Sequence, residues 1–171
     1  MISKLTVIVL PTALIIAAIV PGLGLTPSPS TAESRPPAPS PTPTQAENEA
    51  QVLQVLQIQL LAWNRGEIDR FMEGYWRSRD TVFVSGDTMT HGWQTLRDRY
   101  RTRYSDPQKM GQLAFSEIEV RMFGYDGALA FGRWKLERAN DKPHGCFTLV
   151  FRKTSDGWKI VHDHTSMAEG S

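Results

Sequence analysis

The C-terminal third of the chain constrains the fold most, because it reads as four strands joined by short connections. These segments cover residues 113–123, 128–138, 145–153 and 158–166. Asp126-Gly127 and Ser155-Asp156-Gly157 provide turn residues between them. Strands linked this closely pair antiparallel, because a parallel connection needs a crossover of a dozen or more residues. The sequence therefore predicts an antiparallel meander.

Helical periodicity precedes these strands. The first helix is predicted over 45–63, where apolar residues recur at three- and four-residue steps: Leu53, Leu56, Leu60 and Trp63. A second helix is expected to begin at Ile68, a short strand to cover 81–85, and a third helix to run from Trp93 to Tyr104. Helices followed by a meander predict an α+β fold with the helices packed on one face of the sheet.

The first residues have the layout of an export signal. Lys4 precedes an apolar run over 5–20, and Ser30-Thr31-Ala32 has the form of a cleavage site. We predict a signal peptide over 1–32, a disordered linker rich in Pro, Ser and Thr over 33–44, a domain over 45–167 and a tail over 168–171. The protein is then secreted or periplasmic. The alternative is an uncleaved membrane anchor, since 5–25 approaches the ~20 residues that span a bilayer.

Charge and cysteine content exclude several other classes. The 171 residues carry a formal net charge of +1, which provides no general attraction to nucleic acid or membranes. The arginines of the third helix are therefore interpreted as a solvated face. Cys146 is the only cysteine, so no intramolecular disulfide can form. Its place in an apolar strand predicts a buried, small hydrophobic residue.

The last strand contains the candidate catalytic residues. Trp158 and Ile160 share one parity with His162 and His164, whereas Asp163 has the opposite parity. The histidines are expected to leave bulk water together with the two apolar residues. They are read as an acid and a base, as metal ligands or as structural groups, with His164 expected in a cavity and His162 structural. If the other face points inward, Asp163 is the polar group inside. No metal or cofactor is expected, because no second paired-ligand motif exists.

Aromatic residues from several elements are expected to line a cavity for a small organic ligand, with few polar groups to orient it. Together with His164, the proposed ligand-binding residues are Tyr75, Trp76, Phe83, Trp93, Tyr100, Trp134 and Phe147.

Several short motifs occur in a characteristic order: residues 64–68 (NRGEI), 91–93 (HGW), 103–104 (RY), 110–111 (MG), 132–134 (GRW) and 156–166 (DGWKIVHDHTS). In this order the chain resembles the SnoaL-like branch of the nuclear transport factor 2-like superfamily. It is also similar to the association domain of calcium/calmodulin-dependent protein kinase II. The resemblance implies a cone-shaped, cystatin-like fold in which a strongly curved antiparallel sheet wraps the helices, with a cavity at the open end and a homodimer formed through the sheet.

Three functions remain open, because enzymes and non-enzymes share this fold. The first is an exported domain that binds a small molecule without chemistry. The second is an enzyme of the isomerase, cyclase or dehydratase type that uses His162, His164 or Asp163. The third is an oligomerisation module whose cavity is filled by Trp76, Trp93 and Trp134.

Overall fold

The computed structural model describes residues 42–168. The expected signal peptide and nearly all of the linker lie outside these residues, as do residues 169–171 of the tail. Within 42–168 the elements are α1 (Gln45–Asn64), α2 (Ile68–Met72), β1 (Val82–Ser85), β2 (Thr88–His91), α3 (Trp93–Arg103), α4 (Pro107–Met110), β3 (Gln112–Phe123), β4 (Gly127–Glu137), β5 (His144–Thr154) and β6 (Gly157–Thr165). None of these helices is both long enough and apolar enough to cross a membrane.

Helix α1 begins at a capping box. The Thr44 hydroxyl accepts a hydrogen bond from the Glu47 amide, and the Glu47 carboxylate accepts one from the Thr44 amide. The buried face of α1 differs from the predicted one, because it includes Val52 and Gln59, whereas Leu53 is 38% exposed. Gln59 tolerates burial because its side-chain amide donates to the Phe71 carbonyl oxygen at 3.0 Å.

Residues 42–168 form one six-stranded sheet in the order β2-β1-β6-β5-β4-β3. The meander from β3 to β6 is antiparallel, as predicted. Strand β1, however, pairs in parallel with β6, and β2 is an edge strand that the sequence does not indicate. The sheet is therefore mixed rather than purely antiparallel. Helices packed on this sheet confirm the α+β class.

The inner face of the sheet builds the core together with the helices. Phe147, Leu149 and Phe151 alternate inward along β5, and all three are buried. Cys146 has the opposite parity and is exposed. The prediction that Cys146 is buried is therefore wrong, because its neighbours, and not Cys146 itself, occupy the core-facing positions.

Strand β6 contains a register shift that changes the parity of its second half. Ile160 pairs with Phe151 and His162 pairs with Val150, so that Val161 has no partner position of its own. Such a β-bulge places an extra residue in one strand and resets the alternation of its side chains. Beyond the bulge, Asp163 is buried and His164 is exposed. The prediction that both histidines share the buried face of Trp158 and Ile160 is therefore wrong.

The bulge lies where β6 changes partners. Before it, the Ile160 amide donates to the Gly74 carbonyl oxygen, and the Ile160 carbonyl accepts from the Trp76 amide. After it, residues 162–165 pair with β1. Strand β6 thus pairs first with residues 74–76, which follow α2, and then with β1. This places Asp163 on the face of the sheet that is covered by the helices.

Candidate functional site

A cavity of about 170 Å³ lies between the helices and the inner face of the sheet. Most of its walls are apolar or aromatic: Trp63, Phe71, Tyr75, Phe83, Tyr100, Tyr104, Leu113, Phe115, Trp134, Leu136, Phe147 and Leu149. Its polar lining is small and includes Asp163, Thr165, Gln59, Ser85 and two arginines of α3. A mostly apolar pocket with few convergent polar groups is the usual form of a small-molecule site.

Asp163 is the buried acid of this cavity, with 4% of its surface exposed. Its Oδ2 accepts a hydrogen bond of 2.6 Å from the Tyr75 hydroxyl, and its Oδ1 accepts one of 2.8 Å from the Thr165 hydroxyl. Burial raises the pKa of Asp163 to about 6, although these hydrogen bonds and the nearby His164 act to lower it. The carboxyl therefore titrates close to neutral pH.

Two phenols accompany this carboxyl group. Burial raises the pKa of Tyr75 and of Tyr100 above the ordinary value, and the charge of Asp163 raises both further. Both hydroxyls consequently stay protonated at neutral pH. The rings are held by aromatic contacts, since both tyrosines pack against Phe71 with ring centroids 6.0 and 5.4 Å apart. The carboxyl group of Asp163 and the two phenols thus lie among packed aromatic rings.

Exposed lining residues mark the mouth of the cavity, among them Arg103, Ser166 and Met167. The Trp134 indole donates to the Ser166 carbonyl oxygen at 3.0 Å and so holds the chain end at the rim. Gly145 makes this close approach possible, because a Cβ atom there would overlap the same carbonyl.

The arginines of α3 divide between two sides of the helix. Arg97 and Arg101 both form ion pairs with Asp69, and they lower the pKa of Asp69 to about 2. Arg99 and Arg103 line the cavity instead. Arg99 donates to the Thr90 hydroxyl at 3.1 Å and lies over the Phe83 ring at 5.6 Å. The interpretation of these arginines as a merely solvated face is therefore incomplete.

The comparison with known proteins identifies the family. The sequence model of the SnoaL-like domain matches residues 52–169. The chain belongs to the SnoaL-like family. No curated protein matches it.

Solved structures similar to this SnoaL-like domain share its fold. An NTF-2 like protein of unknown function from Shewanella oneidensis is 37% identical, with a TM-score of 0.67 over 69% of this chain and 98% of that one. A cystatin-like fold protein from Burkholderia xenovorans is 24% identical, with a TM-score of 0.59 over 72% and 93%. An NTF2-like superfamily protein from Salmonella enterica is 17% identical, with a TM-score of 0.61 over 75% and 96%.

The SnoaL-like cavity includes some of the residues named from sequence and omits others. Tyr75, Phe83, Tyr100, Trp134 and Phe147 line it, together with Asp163. Trp76, Trp93, His162 and His164 are not among the lining residues. The Trp93 indole donates to the Met72 carbonyl oxygen at 3.0 Å, and the guanidinium groups of Arg77 and Arg97 lie 4.9 and 5.5 Å from its ring centroid. The expectation that His164 lines the cavity is wrong, because the bulge at Val161 turns its side chain to the outer face.

Sequence reasoning did not identify Trp63, Phe115, Arg99 and Arg103 as lining residues. A signal for the arginines exists in the sequence. Arg99 lies three residues after Leu96, and Arg103 lies three residues after Tyr100, so each is on the same side of the helix as a residue of the predicted apolar stripe. Within residues 42–168, no group of three His, Cys, Asp or Glu side chains is arranged to hold a metal ion.

Proposed function

We propose that this SnoaL-like domain binds a small organic molecule in the aromatic cavity, with Asp163 as the polar group that orients it. The observation that carries the proposal is a buried carboxyl group at the wall of an otherwise mostly apolar space. A buried charge with two hydrogen-bond partners keeps unused acceptor capacity. A ligand hydroxyl or amide could satisfy that capacity.

The size of the cavity limits the ligand. An engineered protein cavity of about 150 Å³ takes up benzene. The cavity of about 170 Å³ therefore has room for one six-membered ring with a short substituent, and larger ligands must extend through the mouth. The aromatic walls favour a flat or ring-shaped body, which they contact edge-on or face-on.

The arrangement of the tryptophans argues against a filled cavity and thus against a module that only oligomerises. Trp76 and Trp93 lie outside the lining, and Trp134 is held at the rim by its hydrogen bond to Ser166. None of the three occupies the space between Asp163 and the mouth as the third sequence hypothesis requires.

A cavity-blocking variant tests this proposal. Ser85 lines the cavity at the end of β1, so Ser85→Phe is expected to place a ring in the ligand's space. In a screen of single-ring compounds followed by ¹H–¹⁵N NMR, ligands that shift the amides of residues 163–165 should lose at least tenfold in affinity with this variant. The matched control is Ser155→Phe in the exposed turn before β6, which should bind normally. Equal binding by both variants, or no ligand from the screen, would contradict the proposal.

Acid–base catalysis on the bound molecule is the second candidate function. It is favoured by the pKa of about 6 for Asp163, because a group that titrates near the working pH both accepts and returns protons. The Tyr75 hydroxyl donates its only proton to Asp163 and so holds the carboxyl group in place. The protonated Tyr100 hydroxyl lines the same cavity and suits charge that develops on a ligand oxygen. Proton transfer of this kind underlies isomerisation, cyclisation and dehydration. The histidines take no part in this proposal, since they are not in the cavity lining.

Proton exchange measures this second function directly. With cyclohexanone in D₂O as the probe, the full chain should accelerate exchange of the α-protons, and Asp163→Asn should slow that exchange by about 10²–10⁴-fold. Asp156→Asn in the exposed turn before β6 removes a carboxylate outside the cavity and should leave the exchange rate unchanged. Equal rates for wild-type and Asp163→Asn would exclude Asp163 as the base for this probe and leave binding as the function.

A further inference from the structure

The two arginines at the cavity have no acidic partner in the described part of the chain. Arg99 and Arg103 are one helical turn apart on α3 and both line the cavity. Within residues 42–168, neither forms an ion pair with a carboxylate, although ten ion pairs occur there. Their recorded partners are neutral: the Thr90 hydroxyl and the rings of Phe83 and Tyr104.

A second pair of arginines on α3 does have an acidic partner. Arg97 and Arg101 have the same spacing, and both bind the carboxylate of Asp69, with Arg97 Nε 2.8 Å from Oδ1. Two guanidinium groups one turn apart thus converge on one carboxylate on one side of α3. On the cavity side the equivalent pair has no such carboxylate among the described residues.

Asp163 does not serve as that carboxylate. Its oxygens accept from Tyr75 and Thr165, and its pKa is governed by burial, these two hydroxyls and His164. Asp163 is buried, whereas Arg103 is exposed at the mouth. The cavity therefore has a buried acidic end and a basic rim.

We infer that Arg99 and Arg103 bind the carboxylate of the ligand, and that the ligand class is a small carboxylic acid with a single-ring body. This inference rests on the proposed binding function and specifies its substrate class. A guanidinium group matches a carboxylate with two parallel N–H donors. The ring of the ligand lies among the aromatic walls, and its carboxylate lies at the rim, away from Asp163. A neutral ligand of the same shape leaves both guanidinium groups without an anion.

Matched pairs of acids and amides test this inference. The probes are 4-hydroxybenzoate, 4-hydroxyphenylacetate and 3-(4-hydroxyphenyl)propanoate, whose ring hydroxyl can donate to Asp163. Each is compared with its primary amide by titration calorimetry on the full chain. At least one acid should bind about ten- to a hundredfold more tightly than its amide, as expected for hydrogen bonds between charged groups. The double variant Arg99→Gln with Arg103→Gln should remove that preference and leave affinity for the amide within about twofold.

The control is the double variant Arg97→Gln with Arg101→Gln, which removes the same charge from the same helix. It should retain the preference for the acid, and Arg99→Lys with Arg103→Lys should retain part of it. Amides that bind as tightly as acids would overturn the carboxylate inference while the binding function stands. An equal loss in the control variant would also overturn it, because the effect would then be one of net charge. Binding of neither acids nor amides would contradict the binding function itself.

Discussion

The hydroxyl of Tyr75 and the carboxyl of Asp163, 88 positions apart in the chain, form a hydrogen bond of 2.6 Å. Tyr75 follows α2 and Asp163 lies in β6, so the bond connects these two segments at the wall of the cavity. It also opposes the effect of burial on Asp163, because a donor to the carboxylate favours its charged form. The acidity of the site is therefore set jointly by two distant segments.

Removal of the Tyr75 hydroxyl should raise the pKa of Asp163 above about 6, because Tyr75→Phe eliminates a hydrogen bond that lowers it. The pKa is measured by ¹³C NMR titration of the side-chain carboxyl. Tyr104→Phe is the control, since Tyr104 lines the same cavity but makes no recorded bond to Asp163. An unchanged pKa in Tyr75→Phe would show that this hydrogen bond is absent in solution.

Asp163→Asn should change how stability depends on pH. The pKa in the folded protein, about 6, lies above the ordinary 3.8, so the folded state is favoured while the carboxyl is protonated. That advantage is lost as the pH rises from about 4 through about 6. The free energy of unfolding of Asp163→Asn, relative to wild-type, should therefore increase by about 2 kcal/mol between pH 4 and pH 7. The hydrogen bonds from Tyr75 and Thr165 that Asp163→Asn weakens change the free energy of unfolding by an amount that does not depend on pH.

Urea unfolding at several pH values measures this difference. Asp156→Asn in the exposed turn before β6 is the control, and its curve should run parallel to that of wild-type. A constant difference between Asp163→Asn and wild-type over the same range would mean that the carboxyl is not desolvated in the folded protein.

Replacement of the histidines of β6 should have little effect on folding or on the cavity. His164 is exposed and His162 is half-buried on the outer face, so His162→Gln and His164→Gln should each change stability by about 0.5 kcal/mol or less. Affinity for any cavity ligand should remain within about twofold of wild-type. Loss of ligand binding in His164→Gln, with the fold intact, would place its side chain in the cavity after all.

We propose that two copies pair through the outer face of the sheet. A row of residues crosses that face at matching register: Val82, His162, Val150 and Leu129. Each of these is only partly buried in the single chain, so a partner would cover apolar surface. Val150→Arg should shift the protein from dimer to monomer in analytical ultracentrifugation, whereas Ser155→Arg in the exposed turn before β6 should not. A wild-type monomer at tens of micromolar would contradict the proposal (an order-of-magnitude choice for a stable interface, about 10⁻⁶ M or tighter).

We also propose that the domain functions outside the cytoplasm, on the evidence of the apolar run over 5–20 and the Ser30-Thr31-Ala32 site. The intact mass of the native protein should correspond to a chain that begins near Glu33. Recovery of the chain with Met1 in the soluble cytosolic fraction would contradict export. Recovery of the full-length chain in the membrane fraction would indicate the uncleaved anchor.

Local patterns predict most of the elements, because they depend on neighbours in the chain. Thr44 and Glu47 specify the start of α1, and the turn residues at 126–127 and 155–157 specify the meander. The aromatic residues at 75, 83, 100, 134 and 147 can be assigned to an interior from their type and periodicity, and all five line the cavity. Residue composition and the spacing of apolar residues were therefore enough to predict the α+β class and the aromatic character of the cavity walls.

Which polar groups meet in the cavity was decided by the tertiary structure. Strict alternation from Trp158 and Ile160 predicts that His162 and His164 face the core. The bulge at Val161 shifts the alternation by one residue, so that Asp163 faces the core instead. The bulge is a property of how β6 pairs with β5, β1 and residues 74–76, and these partners lie 10 to 87 residues from Val161. The division of the α3 arginines between Asp69 and the cavity depends in the same way on where α2 and the sheet lie. Local sequence specifies which side chains are available, and long-range pairing decides which of them face the same space.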